Sequence, residues 1–238
     1  MEQICRFHRV LLKLSGEALK GDRAFGYEPE ALAAIAERFR ELTSAGIELA
    51  VVVGAGNLWR GKMGENMDRV TADHMGMLAT AMNALALKEA CNAAGISALV
   101  QASVPMEPFA PRYDRDKAMK ALEMGQVVIF AGGTGNPFFT TDTAAALRAA
   151  ELQADAVFKG TTVDGIYSAD PRKDASAHLI KDITYQEAID KGLKVMDATA
   201  FQMCKDQKVP CIRVFNMDDL DNIIRVAKGE DIGTTAHL

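Results

Sequence analysis

Short apolar runs, several of them rich in valine and isoleucine, recur along this chain, and most are followed by a longer stretch whose apolar residues return every three or four positions. Strands alternating in this way with helices admit a parallel sheet covered by helices and little else. The chain therefore reads as an α/β protein. The expected strands are 10–14, 47–53, 96–100, 127–131, 156–159 and 211–215. The run at 47–53 carries charge only at Glu48, as a strand covered on both faces requires. The expected helices are 30–45, 70–94, 115–124, 143–152, 185–190, 198–207 and 218–228. Pro29 starts the first of these, Leu32, Ile35, Phe39 and Leu42 share one face, and Gly46 stops it. In the second, Met75, Leu78, Met82 and Leu85 recur at helical spacing and are expected to be core contacts, with Gly95 closing the helix.

A chain of 238 residues buries roughly three-quarters of its unfolded surface when it folds as one domain. No long Pro/Gly/Ser linker divides it, so a single domain over 1–238 with at most a shallow cleft is expected. Hydrophobic residues at 49% and charged residues at 25% exclude a disordered class. The formal charge of −5, with Lys and Arg scattered, leaves no basic stripe for nucleic acid. The opening MEQICRFHRV lacks a signal-peptide core, and no run reaches the roughly 18 apolar residues that cross a bilayer. A cytoplasmic protein with no membrane contact is expected. Cys5, Cys91, Cys204 and Cys211 form no Cys-x-x-Cys pair and lie far from His8, His74, His178 and His237, so reduced thiols are expected rather than zinc.

Open parallel sheets bind ligands beyond the carboxyl ends of their strands. Four expected strands end in segments suited to anions, namely Lys13-Leu14-Ser15-Gly16, Gly54-Ala55-Gly56-Asn57, Gly132-Gly133-Thr134-Gly135-Asn136 and Lys159-Gly160-Thr161-Thr162. Glycine lets backbone amides approach phosphate oxygens, while hydroxyls and ammonium groups add donors. The four are expected to meet at one sheet edge. Gly56, Gly61 and Lys62 imitate a Walker A loop, but Met63 stands where the magnesium-binding hydroxyl belongs. A dinucleotide fingerprint fails as well, because Trp59 occupies its third glycine position.

Asp142 beside a phosphate-binding loop needs a cation, supplied either by Mg²⁺ or by Lys13 and Lys159. Either fits phosphoryl transfer, where catalysis is positioning and charge stabilisation; the bland alternative is a carboxylate favouring a helix amino terminus. Arg60 offers a bidentate fork to phosphate, or is a solvated surface arginine. Asp73 either caps the second helix or takes ribose hydroxyls. In the stretch 163–171, adenine could pack beside Tyr167 with Asp170 on a ribose hydroxyl, although spacing alone favours a surface hairpin.

With LLKLSGEAL at 11–19, VVVGAGNLWRG at 51–61, DHMGMLATAMN at 73–83, GTGNPFFTTD at 133–142, VDGIYSADP at 163–171 and IRVFNM at 212–217, the chain resembles the amino acid kinase family, in particular its bacterial uridylate kinase branch. The resemblance implies a three-layer α/β/α sandwich with a mainly parallel sheet. It implies Mg²⁺-dependent transfer of the ATP γ-phosphate to UMP, giving UDP and ADP, in pyrimidine nucleotide biosynthesis. The part to about residue 150 would mainly bind UMP and oligomerise, and the remainder would mainly bind ATP. Carried over by position, Lys13, Leu14, Ser15, Gly16, Gly56, Arg60, Thr161, Tyr167 and Asp170 would bind ATP. Ala55, Asp73, Thr134, Gly135, Asn136, Pro137, Phe138, Phe139, Thr140 and Thr141 would bind UMP. Lys13, Asp142, Lys159 and Arg60 would be catalytic, with Mg²⁺ carried by the nucleotide.

The segment Gly21, Asp22, Arg23, Ala24, Phe25 and Gly26 would be linked to activation by GTP, with UTP as inhibitor and a homohexamer as the assembly. One departure is Ala55, where the family pattern expects glycine; it is tolerable only if φ there stays negative and the methyl leaves room for ligand. A kinase of the same superfamily acting on a carboxylate or carbamate, and a nonenzymatic nucleotide- or anion-binding module, remain the alternatives.

Overall fold

The computed structural model describes residues 6–60, 64, 66–174, 176–193 and 195–238. The first half contains β1 (Arg9–Leu14), a 3-10 helix (Gly16–Leu19), α1 (Pro29–Ser44), β2 (Glu48–Val53), α2 (Arg69–Ala93), β3 (Ala98–Ala102), α3 (Arg115–Glu123) and β4 (Val127–Ala131). There follow α4 (Thr141–Glu151), β5 (Ala156–Thr161), β6 (Ile166–Tyr167), β7 (Leu179–Ile180), β8 (Asp182–Thr184), α5 (Tyr185–Asp190), α6 (Ala198–Asp206), β9 (Cys211–Asn216), α7 (Asp221–Ala227) and β10 (Thr234–His237). Eight strands form one sheet in the order β3-β4-β2-β1-β5-β9-β10-β8, in which only the β9/β10 pair is antiparallel. The expected α/β architecture is thus observed.

Alternation along the strands sorts the core into two clusters. Val10, Leu12 and Leu14 of β1 face Ile35, Phe39 and Leu42 of α1, in the cluster that also takes in α2 and α7. Leu11 faces the opposite way, into the cluster built by α3, α4, α5 and α6. Helices therefore cover both faces, giving three layers. The small residues of α4, Ala144, Ala145, Ala146 and Ala149, bring that helix close to the sheet.

Three expectations change. On α2, Met75, Leu78 and Met82 are exposed (37%, 56% and 55%) and Leu85 is only half-buried. The face turned inward carries Ala72, Met77, Thr80, Ala84, Leu87 and Cys91, and it packs against α1, β3 and β4. Two stripes share this helix, and the one with small side chains permits the closer approach to the sheet. The cap of α2 is Asp68, which accepts from the Thr71 amide at 3.0 Å, and not Asp73, one turn further in. Helix α7 begins at Asp221 because Asn216 and Asp219 first fold the chain into side-chain turns, accepting from the amides of Asp218 and Asp221.

The ribbon expected within 163–171 exists, but its strands β6 and β7 enclose residues 168–178, and the Asp164-Gly165 pair precedes it. Among the described residues no helix is long and apolar enough to cross a membrane. Cys91, Cys204 and Cys211 are free thiols; Cys5 lies outside the described residues, as do Gly61, Lys62 and Met63 of the imitation Walker loop.

Candidate active site

The strands that end in the four anion-suited segments are β1, β2, β4 and β5, and they are consecutive and parallel in the order β4-β2-β1-β5. Their carboxyl ends therefore lie side by side at one sheet edge. In the β1/β5 register Lys13 stands opposite Lys159, and alternation turns both toward the face covered by α4. Two ammonium groups on adjacent strands would repel, and the first turn of α4 supplies the carboxylate that holds them. Asp142 Oδ2 accepts a hydrogen bond from Lys159 Nζ, and Lys13 Nζ lies 2.9 Å from Oδ1. The Lys13 contact is an ion pair off the hydrogen-bonding direction, since Oδ1 accepts no directed bond.

All three side chains are nearly buried, at 12%, 13% and 8% exposure for Lys13, Asp142 and Lys159. Burial, and then repulsion from Lys13, pulls the Lys159 ammonium down to about 8 against the opposing attraction of Asp142. Burial alone would raise the Asp142 carboxyl, but the two lysines more than cancel it and hold the group below the usual carboxylate range. The cluster thus keeps a surplus positive charge in a poorly solvated place, which suits a developing anion.

Two cavities flank it. The first, of about 360 Å³, is lined by Ala55, Asp73, Thr134, Asn136, Phe139, Thr140 and Thr141 from the expected acceptor set, and also by Trp59, Arg69, Met77 and Thr80. Gly135, Pro137 and Phe138 belong to the same loop but not to the lining. Asp73 takes the Arg69 guanidinium on both oxygens at 3.0 Å and the Phe138 amide at 2.8 Å, tying α2 to the loop after β4. That amide bond holds Phe138 at φ 72, a conformation few non-glycine residues adopt. Ala55 is not among the residues of positive φ, so the condition on its backbone is met.

The second cavity, of about 1310 Å³, is lined by Lys13, Leu14, Ser15, Lys159, Thr161, Tyr167 and Asp170, with Met217, Asp218 and Leu220 after β9 and Lys191, Leu193 and Val195 before α6. Gly21 and Asp22 also line it; Phe25 of the same segment is exposed, and Gly26 bonds to Asn57 through both its amide and its carbonyl. Tyr167 thus belongs both to the ribbon and to the cavity wall.

Gly16 and Gly56 line neither cavity but lie where the turns after β1 and β2 meet. A Cβ on Gly16 would stand 2.6 Å from Asn57 Oδ1 and 2.7 Å from the Gly54 carbonyl, so only glycine lets the β1 and β2 turns touch. Arg60 lines neither cavity but is paired with a residue that lines the second: it donates to both Glu17 oxygens at 2.8 Å and to the Gly56 carbonyl at 3.0 Å.

Sequence reasoning missed Asp197. It caps α6 through the Ala200 amide and accepts from the hydroxyls of Thr140 and Thr143, so it fixes the start of α4 on which Asp142 stands. An Asp just before the helix expected at 198–207 was the available signal.

The amino acid kinase family profile matches residues 8–216. The structure is similar to that of UMP kinase from Bacillus anthracis, at 34% identity and a TM-score of 0.93, covering 97% of this chain and 96% of that one. It is similar to UMP kinase from Ureaplasma parvum at 34% identity and a TM-score of 0.91, covering 98% and 100% of the two chains. Uridylate kinase from Archaeoglobus fulgidus is similar at 29% identity and a TM-score of 0.75, covering 95% and 99%.

Proposed function

Since the chain belongs to the amino acid kinase family, we propose that it is a UMP kinase that transfers the γ-phosphate of ATP to the 5′-phosphate of UMP. A UMP phosphate oxygen forms the new bond to the γ-phosphorus as the bond to the ADP oxygen breaks. The observation that carries the reading is the Lys13–Asp142–Lys159 cluster between two cavities, in a chain that aligns over nearly its whole length with two UMP kinases.

ATP occupies the larger cavity, with its phosphates toward Lys13, Ser15 and Lys159 and its adenosine toward Tyr167 and Asp170. UMP occupies the smaller one, with Asp73 near its ribose. This division refines the split near residue 150, because residues 13–35 contribute to the ATP side. The phosphate of UMP is already ionised near neutral pH, so no strong general base is required. Lys13 and Lys159 stabilise charge on the transferred group, and Asp142 opposes the burial that lowers Lys159. Arg60 reaches phosphate only by leaving Glu17.

Mg²⁺ fits the same place as a passenger of the nucleotide. Among the described residues no group of three His, Cys, Asp or Glu is placed to hold a metal, and Mg²⁺ commonly takes most of its ligands from phosphates and water. Asp142, already paired with Lys13 and Lys159, is one carboxylate beside the phosphate path, and the ion would supply charge neutralisation on the phosphate oxygens.

GTP activation linked to 21–26, inhibition by UTP, residence in the cytoplasm and a role in pyrimidine biosynthesis belong to the same reading. A homohexamer does too, supported by the exposed Met75, Leu78 and Met82 on α2, which a neighbouring subunit would cover. The test is a coupled assay with ATP and Mg²⁺. UMP is expected to turn over much faster than CMP, dUMP or N-acetylglutamate, and comparable rates with all four would sink the assignment. Repeating the UMP arm with GTP or UTP reads the regulation.

A further inference from the structure

The loop that lines the acceptor cavity after β4 has positive φ at Gly132, Gly133 and Gly135, and the Gly135 amide closes a turn within it by donating to the Gly132 carbonyl at 2.9 Å. It is also held from outside. Thr80 on α2 accepts from the Gly132 amide at 2.8 Å, and Ser103, just after β3, donates its hydroxyl to the Gly133 carbonyl at 2.7 Å. The Ser103 hydroxyl proton is itself directed, because Arg148 donates to the same oxygen at 3.0 Å.

Arg148 lies on α4 with only 5% of its surface exposed, its guanidinium 3.7 Å over the Tyr113 ring and paired with Glu151. A buried guanidinium stacked on an aromatic ring is rigid as well as charged. A trans peptide sets its C=O and N–H in opposite directions, so fixing the Gly133 carbonyl toward Ser103 turns the Thr134 N–H away from it. Thr134 lines the acceptor cavity, and among the described residues its N–H donates to nothing in the protein. Hydrogen bonds in a chain polarise one another, so a cation at one end strengthens the donor at the other.

We propose that Ser103 and Arg148, neither of which lines the cavity, are positioning residues that aim and polarise the Thr134 N–H toward the acceptor nucleotide. The proposal rests on the UMP reading of that cavity, and the experiment separates the two. The wild type, Ser103→Ala, Arg148→Met and the double variant are compared for KM toward UMP and toward ATP. Amide hydrogen exchange is followed over 132–140 in the ligand-free proteins.

Ser103→Ala removes one hydroxyl and is expected to raise KM for UMP about tenfold while KM for ATP stays within about twofold, with faster exchange in 132–140. The double variant is expected to match Ser103→Ala, because Arg148 acts through that hydroxyl. If Arg148→Met does not fold, the Ser103→Ala arm decides alone. An unchanged KM for UMP in Ser103→Ala, an equal rise in both KM values, or effects that multiply in the double variant would overturn the proposal. If the wild type fails to use UMP, the functional reading falls; this proposal then stands on accelerated loop exchange in Ser103→Ala and is overturned by unaltered exchange.

Discussion

Replacing Asp142 by Asn keeps the side chain's shape and removes the negative charge held between Lys13 and Lys159. At an effective dielectric of about 20, a pair of unit charges about 4 Å apart attracts by ~4 kcal/mol. Each ~1.4 kcal/mol is a factor of ten in ionisation. Lys159 already stands at about 8 with Asp142 in place, so its loss carries the lysine well below neutrality. Near pH 7 the free variant then presents a neutral amine where the wild type presents an ammonium, and kcat/KM is expected to fall by about 10² to 10³.

Initial rates of ADP release with ATP and UMP, from about pH 6 to about pH 9, provide the assay. In the wild type kcat/KM falls above about pH 8 as Lys159 of the free enzyme loses its proton, while kcat holds to higher pH because bound phosphates keep the lysine charged. In Asp142→Asn the alkaline limb of kcat/KM moves to lower pH.

Stability carries a matching sign. The folded state binds Lys159's proton less tightly than the unfolded chain, so the contribution of this group to stability rises from about pH 8 toward the ordinary value of 10.5. Buried Cys91 and Cys204, pushed up to about 12, act oppositely above their ordinary value of 9.0 and cancel when variant and wild type are compared in the same buffers. In the variant the rise begins earlier, so the difference in Tm is expected to narrow between about pH 7 and about pH 8. A variant with kcat/KM within about threefold of wild type and an unmoved alkaline limb would refute the electrostatic account.

Lys13→Ala leaves Asp142 with one partner and takes an ammonium from the phosphate path; turnover is expected to drop by about 10² or more, and a folded variant of normal activity would remove Lys13 from the mechanism. Gly16→Ala places a methyl 2.6 Å from Asn57 Oδ1, 2.7 Å from the Gly54 carbonyl and 2.8 Å from the Gly56 amide. Two of those neighbours are backbone, so a loss of about 1–3 kcal/mol on thermal unfolding is expected, together with reduced turnover; unchanged melting and rates would contradict the close contact of the two turns.

Local pattern carried far in this protein. The apolar runs of β1, β2, β4 and β5 and the glycines that end them were legible because a strand buried on both faces needs continuous hydrophobic sequence and a close phosphate approach needs glycine. Asp142 drew notice through its neighbours in the sequence, Lys13 and Lys159 through the strand ends they occupy. The face of α2 was not legible. Periodicity marked Met75, Leu78 and Met82 as one stripe but carries no information on which stripe meets the sheet, and the helix instead buries Ala72, Thr80 and Ala84. Asp73 and Arg60 had open roles for the same reason: their partners, the Phe138 amide and Glu17, are 65 and 43 residues away.

The sequence by itself therefore determined the alternating α/β architecture, the glycine-rich strand ends and the residue types available there, since these follow from local sterics and burial. Tertiary structure alone decided that β1 lies between β2 and β5, with Lys13 in register with Lys159 and Asp142 across both. Strand order and register are settled by packing between distant segments. That packing also delivers the carboxylate that opposes the loss of charge on buried Lys159.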